Sequence, residues 1–185
     1  MQEQNVMQIC QVAQQLTDAL NDQLNKMWVD LRCAAEDLQA VVSELPITIE
    51  AVPTEQRFSA FCRELERMEQ CKRVLDEAFS CFLGGEISIA EATMRLLGWE
   101  GEMRLRKAGD AASVELIGGL RARLDAYAET YTKERVWAEG LIRGMIPRFL
   151  DELYRLSDAE RNGKGFRMQS IADLCGGFCN NIKFS

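Results

Sequence analysis

Leu24–Leu45 reads LNKMWVDLRCAAEDLQAVVSEL. Its apolar positions, Leu24, Met27, Leu31, Ala34, Leu38, Val41 and Leu45, are three and four residues apart in alternation. A strand buries every second residue, whereas a helix of 3.6 residues per turn brings positions three and four apart onto one stripe. The segment is therefore a helix with a heptad seam, built to pack along another helix.

The same pattern extends outward. Ile9, Ala13, Leu16, Leu20 and Leu24 continue the stripe upstream, with the two consecutive steps of four from Leu16 reading as a stutter. One helix is predicted over about 2–45, ended by Pro46. PITIEAVP (46–53) is a connector, and Thr54 is placed to cap the next helix. That helix, 54–83, carries the seam Phe58, Phe61, Leu65, Met68, Lys72, Leu75, Phe79, Phe82 and stops at Gly84-Gly85. Ser88-Ile-Ala-Glu91 is a capping box opening a shorter helical region over 88–107, interrupted near Gly98. After Gly109-Asp110 a third long helix, 111–146, carries Ile117, Leu120, Leu124, Tyr127, Tyr131, Glu134, Ala138, Leu141 and Met145. Pro147 kinks it or begins a new helix, giving 148–157. RNGKG (161–165) is a turn, and a last helix over 167–175 stops at Gly176-Gly177. The expected fold is all-α: an antiparallel bundle of long heptad-patterned helices with a small helical insertion, in one domain of 185 residues.

Composition narrows the function. Hydrophobic residues are 47% and charged residues 28%, enough for a packed core. The net charge of −7 opposes nonspecific attraction to nucleic acid and anionic membranes. No histidine occurs, which removes the commonest general base and metal ligand. Seven cysteines without a framework spacing, an N-terminus lacking a signal-peptide pattern and no apolar run of spanning length predict a cytoplasmic protein with free thiols and no membrane contact.

Candidate interaction residues follow from helix length. The first helix spans roughly 66 Å and the second roughly 44 Å, so a hairpin leaves about 15 N-terminal residues overhanging. Val6, Ile9, Val12, Ala13 and Leu16 lie there and need a partner: the later long helix, a second subunit or another protein. Lys72 and Glu134, each the charged member of an apolar seam, form a possible register pair, or else extend their stems to solvent.

Chemistry is sparse. Cys175 and Cys179 bracket Gly-Gly-Phe at a helix end, where unpaired carbonyls disfavour a thiolate, and zinc needs about four ligands. Cys62, Cys71 and Cys81 lie roughly 13–15 Å apart along one helix, too far for a shared ion. Glu66-Arg-Met-Glu69 matches half of the Glu-x-x-Glu, Glu-x-x-Asp magnesium pattern of helical nucleotide pyrophosphohydrolases, but no Glu-x-x-Asp exists in the chain. No catalytic residue, metal site or cofactor is predicted.

ISIAEATMRLLGWEGEMRLRKAG (87–109) resembles the helix-turn-helix of bacterial and phage regulators: Ser88–Ala92 runs into Leu96-Leu97-Gly98 and then a basic stretch. The resemblance implies DNA contact by Arg104, Arg106 and Lys107, extended by Arg121 and Arg123. Met94 stands where such motifs carry a small alanine, and Glu100 and Glu102 would repel phosphate. The other reading is a helical hairpin capping the bundle. The leading expectation is a non-catalytic protein–protein interaction or assembly protein (scaffold, adaptor, chaperone-like or oligomeric coiled-coil subunit). A DNA-associated regulator dimerising through its long helices is the alternative.

Overall fold

Six α-helices and no strand make up the residues that the computed structural model describes, 3–105 and 111–182. They are α1 (Glu3–Glu50), α2 (Arg57–Leu83), α3 (Gly85–Leu105), α4 (Ala111–Glu139), α5 (Ile146–Arg161) and α6 (Met168–Asn181). A 3-10 turn, Thr54–Gln56, leads into α2, and a π-helical turn, Gly140–Met145, joins α4 to α5. Among the described residues no helix is long and apolar enough to cross a membrane.

Several expected boundaries move, each for a packing reason. α1 does not stop at Pro46 but continues to Glu50. The proline forfeits one backbone bond, at about 3 kcal/mol. Val41, Val42, Leu45 and Ile49 are all buried around it, each contributing roughly 1.5–3 kcal/mol. Thr54 opens the 3-10 turn instead of capping: Pro53 holds the N-cap position and no side-chain bond is made there. Gly84 alone interrupts α2 and α3. Ser88 therefore sits inside α3, its hydroxyl donating back to the Gly84 carbonyl at 3.4 Å, and is no cap.

α3 itself runs unbroken through Gly98 and Gly101. Ile89, Ala92, Leu96 and Met103 are buried along it, and this outweighs about 1 kcal/mol for each interior glycine. The two-piece reading of 88–107 is thereby corrected, and with it the turn that a helix-turn-helix requires. α6 likewise continues past Gly176-Gly177, because Ile171, Cys175, Phe178 and Ile182 are buried at steps of four, three and four. Pro147 does mark a junction. It lies in the first turn of α5, directly after the π turn, whose wider ladder is visible in the Ile146 N–H bonding to Leu141 O. The extra residue advances the seam, so Ile146 is buried where Met145 was expected.

The 161–165 turn is a Schellman motif: Gly163 N–H reaches Glu160 O, Lys164 N–H reaches Ala159 O, and Gly163 has φ +73°.

The chain divides into two compact units, Met1–Trp28 with Ser80–Arg135, and Val29–Phe79 with Val136–Ser185. In the first, α3 runs antiparallel to α4: Glu86 pairs with Arg135 near one end and Glu100 with Arg121 further along. α1 lies beside both, through Asp18 to Arg123 and through Leu24 against Gly85. The buried line on α1 is Val6, Cys10, Ala13, Thr17, Leu20, Leu24, with steps of four and three throughout. There is no stutter. Thr17 fills the seam position, its hydroxyl satisfied by Ala13 O at 2.8 Å.

In the second unit α2 runs antiparallel to α5. Arg161 lies over Phe58, Tyr154 bonds Glu69 and Arg143 lies over Phe79. Arg67 and Glu44 approach to 3.9 Å across the α1–α2 hairpin. α6 is fixed by Phe178 stacked on Phe149 and by Gln39, whose amide donates to Cys179 O at 3.2 Å.

Candidate functional site

α3 has two apolar faces, and the chain covers one of them. The inner face begins at Gly85, where an added Cβ would lie 2.9 Å from both Leu24 Cδ2 and the Tyr131 ring. It continues through Ile89, Ala92, Leu96 and Met103, all buried. Tyr131 is held in place by stacking on Phe82 at 4.6 Å and by its hydroxyl, which donates to Phe82 O at 2.7 Å and to Leu83 O at 3.2 Å. Those are terminal carbonyls of α2, which lack helical partners of their own.

The outer face of α3 carries Ile87, Ala90, Met94, Leu97, Gly98 and Gly101, all exposed. Ile87 is 65% exposed, Met94 70% and Leu97 43%. Helical spacing places them on one stripe with no charge at its centre. An added Cβ on Gly98 or Gly101 would meet nothing within 4 Å. Nothing inside the chain requires glycine at either position.

The sequence-predicted partner residues fare differently. Val6 and Ala13 are buried within the chain, Ile9 and Leu16 are half-buried, and of that set only Val12 is exposed, at 43%. Val6 and Ala13, which the overhang reading leaves open, are thus covered within the chain. The covered seam contains Cys10 and Thr17, which a search for large apolar residues passes over.

The predicted DNA-contacting arginines are drawn into ion pairs. Glu100, 5% exposed, accepts from Arg104 at 2.8 Å on one oxygen and from Arg121 on the other. It is a helical residue neutralised by two guanidiniums, and it is not part of a turn. Arg123 donates to Asp18 at 3.1 Å and to the Tyr127 hydroxyl at 2.7 Å. The Gln14 amide and the Arg123 guanidinium hold the Asp18 carboxyl below its ordinary range. Arg106 and Lys107 lie outside the described residues.

The second unit contains a groove of about 490 Å³ between α2 and α5, walled by Glu66, Glu69, Arg73, Tyr154, Asp158 and Arg161. Tyr154 donates to Glu69 at 2.7 Å. Burial and that carboxylate push its phenol up to about 12, which keeps the hydroxyl protonated at neutral pH. Charges of both signs alternate around the groove, and no single ligand charge is favoured there. Among the described residues no three potential metal ligands come together. Cys175 and Cys179 are one turn apart within α6. Burial, then the neighbouring Cys179, pushes the Cys175 thiol up to about 12. Cys179 Sγ rests 3.8 Å from Gln39 O, completing a reciprocal contact with the Gln39 amide. Both thiols serve packing in this arrangement. Lys72 and Glu134 are half-buried and belong to different units; burial raises the Glu134 carboxyl.

No family model matches the chain, and no curated protein and no solved structure does.

Proposed function

We propose that this protein is a non-catalytic assembly protein whose working surface is the outer face of α3, and whose partner lays an apolar helix along it. The observation that supports this reading is the two-faced character of α3. A helix apolar on both sides is normally covered on both sides, and contiguous exposed apolar surface marks contact sites. Ala90, Gly98 and Gly101 on the same stripe are small, so another helix can approach this face closely.

The continuous helix through Gly98 and the pairing of Arg104, Arg121 and Arg123 with Glu100 and Asp18 favour the assembly reading over a DNA-associated one. The test of the assembly reading is a photo-crosslinking amino acid at Met94 in expressing cells, with Val74, also exposed, as control. A single adduct of defined mass, lost with Leu97→Asp, is expected from position 94. No adduct, or the same adduct from position 74, overturns the reading.

A further inference from the structure

We infer that the helix received by this face is α3 of a second copy, laid antiparallel with a two-fold axis beside Met94. The inference rests on the assembly reading above and names its partner. The face is self-complementary in shape and in charge.

Counting outward from Met94 by equal steps pairs the residues that a two-fold would bring together. Ile87 meets Gly101 and Ala90 meets Gly98. Ile87 and Ala90 each face a glycine, Met94, adaptable in shape, faces itself, and Leu97, whose mate by this count is Glu91, lies at the margin of the contact. Of the three glycines in α3, these are the two at which an added Cβ would meet nothing within 4 Å. A parallel pairing would instead set Ile87 on Ile87 and glycine on glycine, leaving bulk against bulk and a gap beyond.

The edges agree with the same geometry. In an antiparallel two-fold pair each edge of the helix faces its own copy. One edge carries Glu91 and Arg95, three residues before Met94 and one after. The other carries Glu86 and Arg104, eight before and ten after. Each acid therefore stands within two residues, about 3 Å of helix rise, of the copy's arginine. Four Glu–Arg pairs result, two per edge. Arg104 and Glu86 keep their existing partners in Glu100 and Arg135. Their side chains are 66% and 64% exposed and accessible to a neighbour. The contact is one helix face wide, smaller than a standard permanent interface, so the pair forms reversibly.

The experiment is sedimentation velocity of the purified, reduced full chain over roughly 1–300 µM, a range that brackets a micromolar dissociation constant. Three variants accompany the wild type: Glu91→Arg, Arg95→Glu and the double exchange. The wild type is expected to shift from monomer to dimer across the range. Each single variant should be roughly tenfold weaker, because its edge becomes like-charged. The double exchange should recover, and so should an equimolar mixture of the two single variants, since an all-basic edge then meets an all-acidic one. Misfolding of either variant cannot produce that recovery. A wild type that stays monomeric throughout overturns the inference, as does a dimer whose strength none of the variants changes. If the purified chain is monomeric but position 94 still gives a defined adduct in cells, the second copy is excluded and the assembly reading stands. If both are negative, both fall.

Discussion

Gly85→Ala should destabilise the protein by about 1–2 kcal/mol, although alanine is the better helix former. The added methyl would sit 2.9 Å from Leu24 Cδ2 and 2.9 Å from Tyr131 Cε2. Carbon atoms in contact settle near 3.5–4.0 Å, so a displacement of about 0.6–1 Å is forced. Leu24 can yield by rotating its terminal methyl. Tyr131 cannot, because its ring stacks on Phe82 and its hydroxyl bonds two α2 carbonyls. Shifting the ring strains a hydrogen bond of about 1 kcal/mol and adds an overpacking term of about 1–3 kcal/mol. The propensity gain of up to about 1 kcal/mol offsets part of this. Gly98→Ala is the matched control: same substitution, same helix, no atom within 4 Å of the new methyl. It should stabilise by about 0.5–1 kcal/mol. Urea unfolding followed by circular dichroism, at a low micromolar concentration, measures both. A Gly85→Ala protein as stable as wild type would refute the close approach of α3 to Tyr131. A destabilised Gly98→Ala would show that the outer face is already covered in the monomer.

Other consequences are equally direct. The Cys175 thiol titrates near 9 when free and at about 12 in the fold, so the unfolded chain releases its proton first. The associated stability is intact below pH 9, falls as pH rises from there toward 12, and should fall less steeply in Cys175→Ala when unfolding is compared at a series of alkaline pH values. Tyr154 adds to the same decline only from pH 10 upward, so the difference is clearest just below that. Thr17→Val keeps the volume of a fully buried side chain and completes an apolar seam; a gain of about 0.5–1 kcal/mol in a thermal melt is expected, and a loss would give the Ala13-bonded hydroxyl a structural role. Glu100→Gln should lose about 1–2 kcal/mol, moderated by the exposure of both arginines, and a double-mutant cycle with Arg121→Ala that returns no coupling would refute the pairing. In the folded protein Cys33 and Cys81 should react first with a maleimide, while Cys10 and Cys175 wait for unfolding, as read by mass spectrometry of the labelled peptides.

The all-helical fold was legible because alternating steps of three and four are dictated by helix geometry alone. The α2 seam from Phe61 through Phe82 stands as read, and its apolar members are buried. What misled were residues judged singly. Pro46, Ser88 and Gly176-Gly177 are each strong local signals for a helix end, yet each lies within a helix whose buried stripe continues past it. Propensities of about 1–3 kcal/mol yield to several buried side chains on the next turn. Thr17 and Cys10 hid the true register of α1, since neither ranks as strongly apolar. The outer face of α3 was visible as a run of Ile, Met, Leu and Gly. A turn at Gly98 divides that run into two pieces, and it becomes one stripe only because the helix continues through Gly98 and Gly101. The pairing of Arg104 and Arg121 with Glu100 has no local signature, because Glu100 and Arg121 are 21 residues apart and meet only through tertiary packing.

Neither compact unit is contiguous in the chain: one needs Met1–Trp28 together with Ser80–Arg135, the other Val29–Phe79 together with Val136–Ser185. On the ribosome, then, the first 28 residues emerge long before the segment that buries Val6, Ala13 and Leu20. At roughly 5–20 residues per second, about 5–20 s separate the two halves of that unit during synthesis. Through this interval the apolar stripe of the nascent first segment is without its cover, available to a holdase or to a neighbouring nascent chain. No fragment ending before Arg135 contains a complete unit, so a premature stop anywhere upstream leaves an aggregation-prone product and not a smaller working domain.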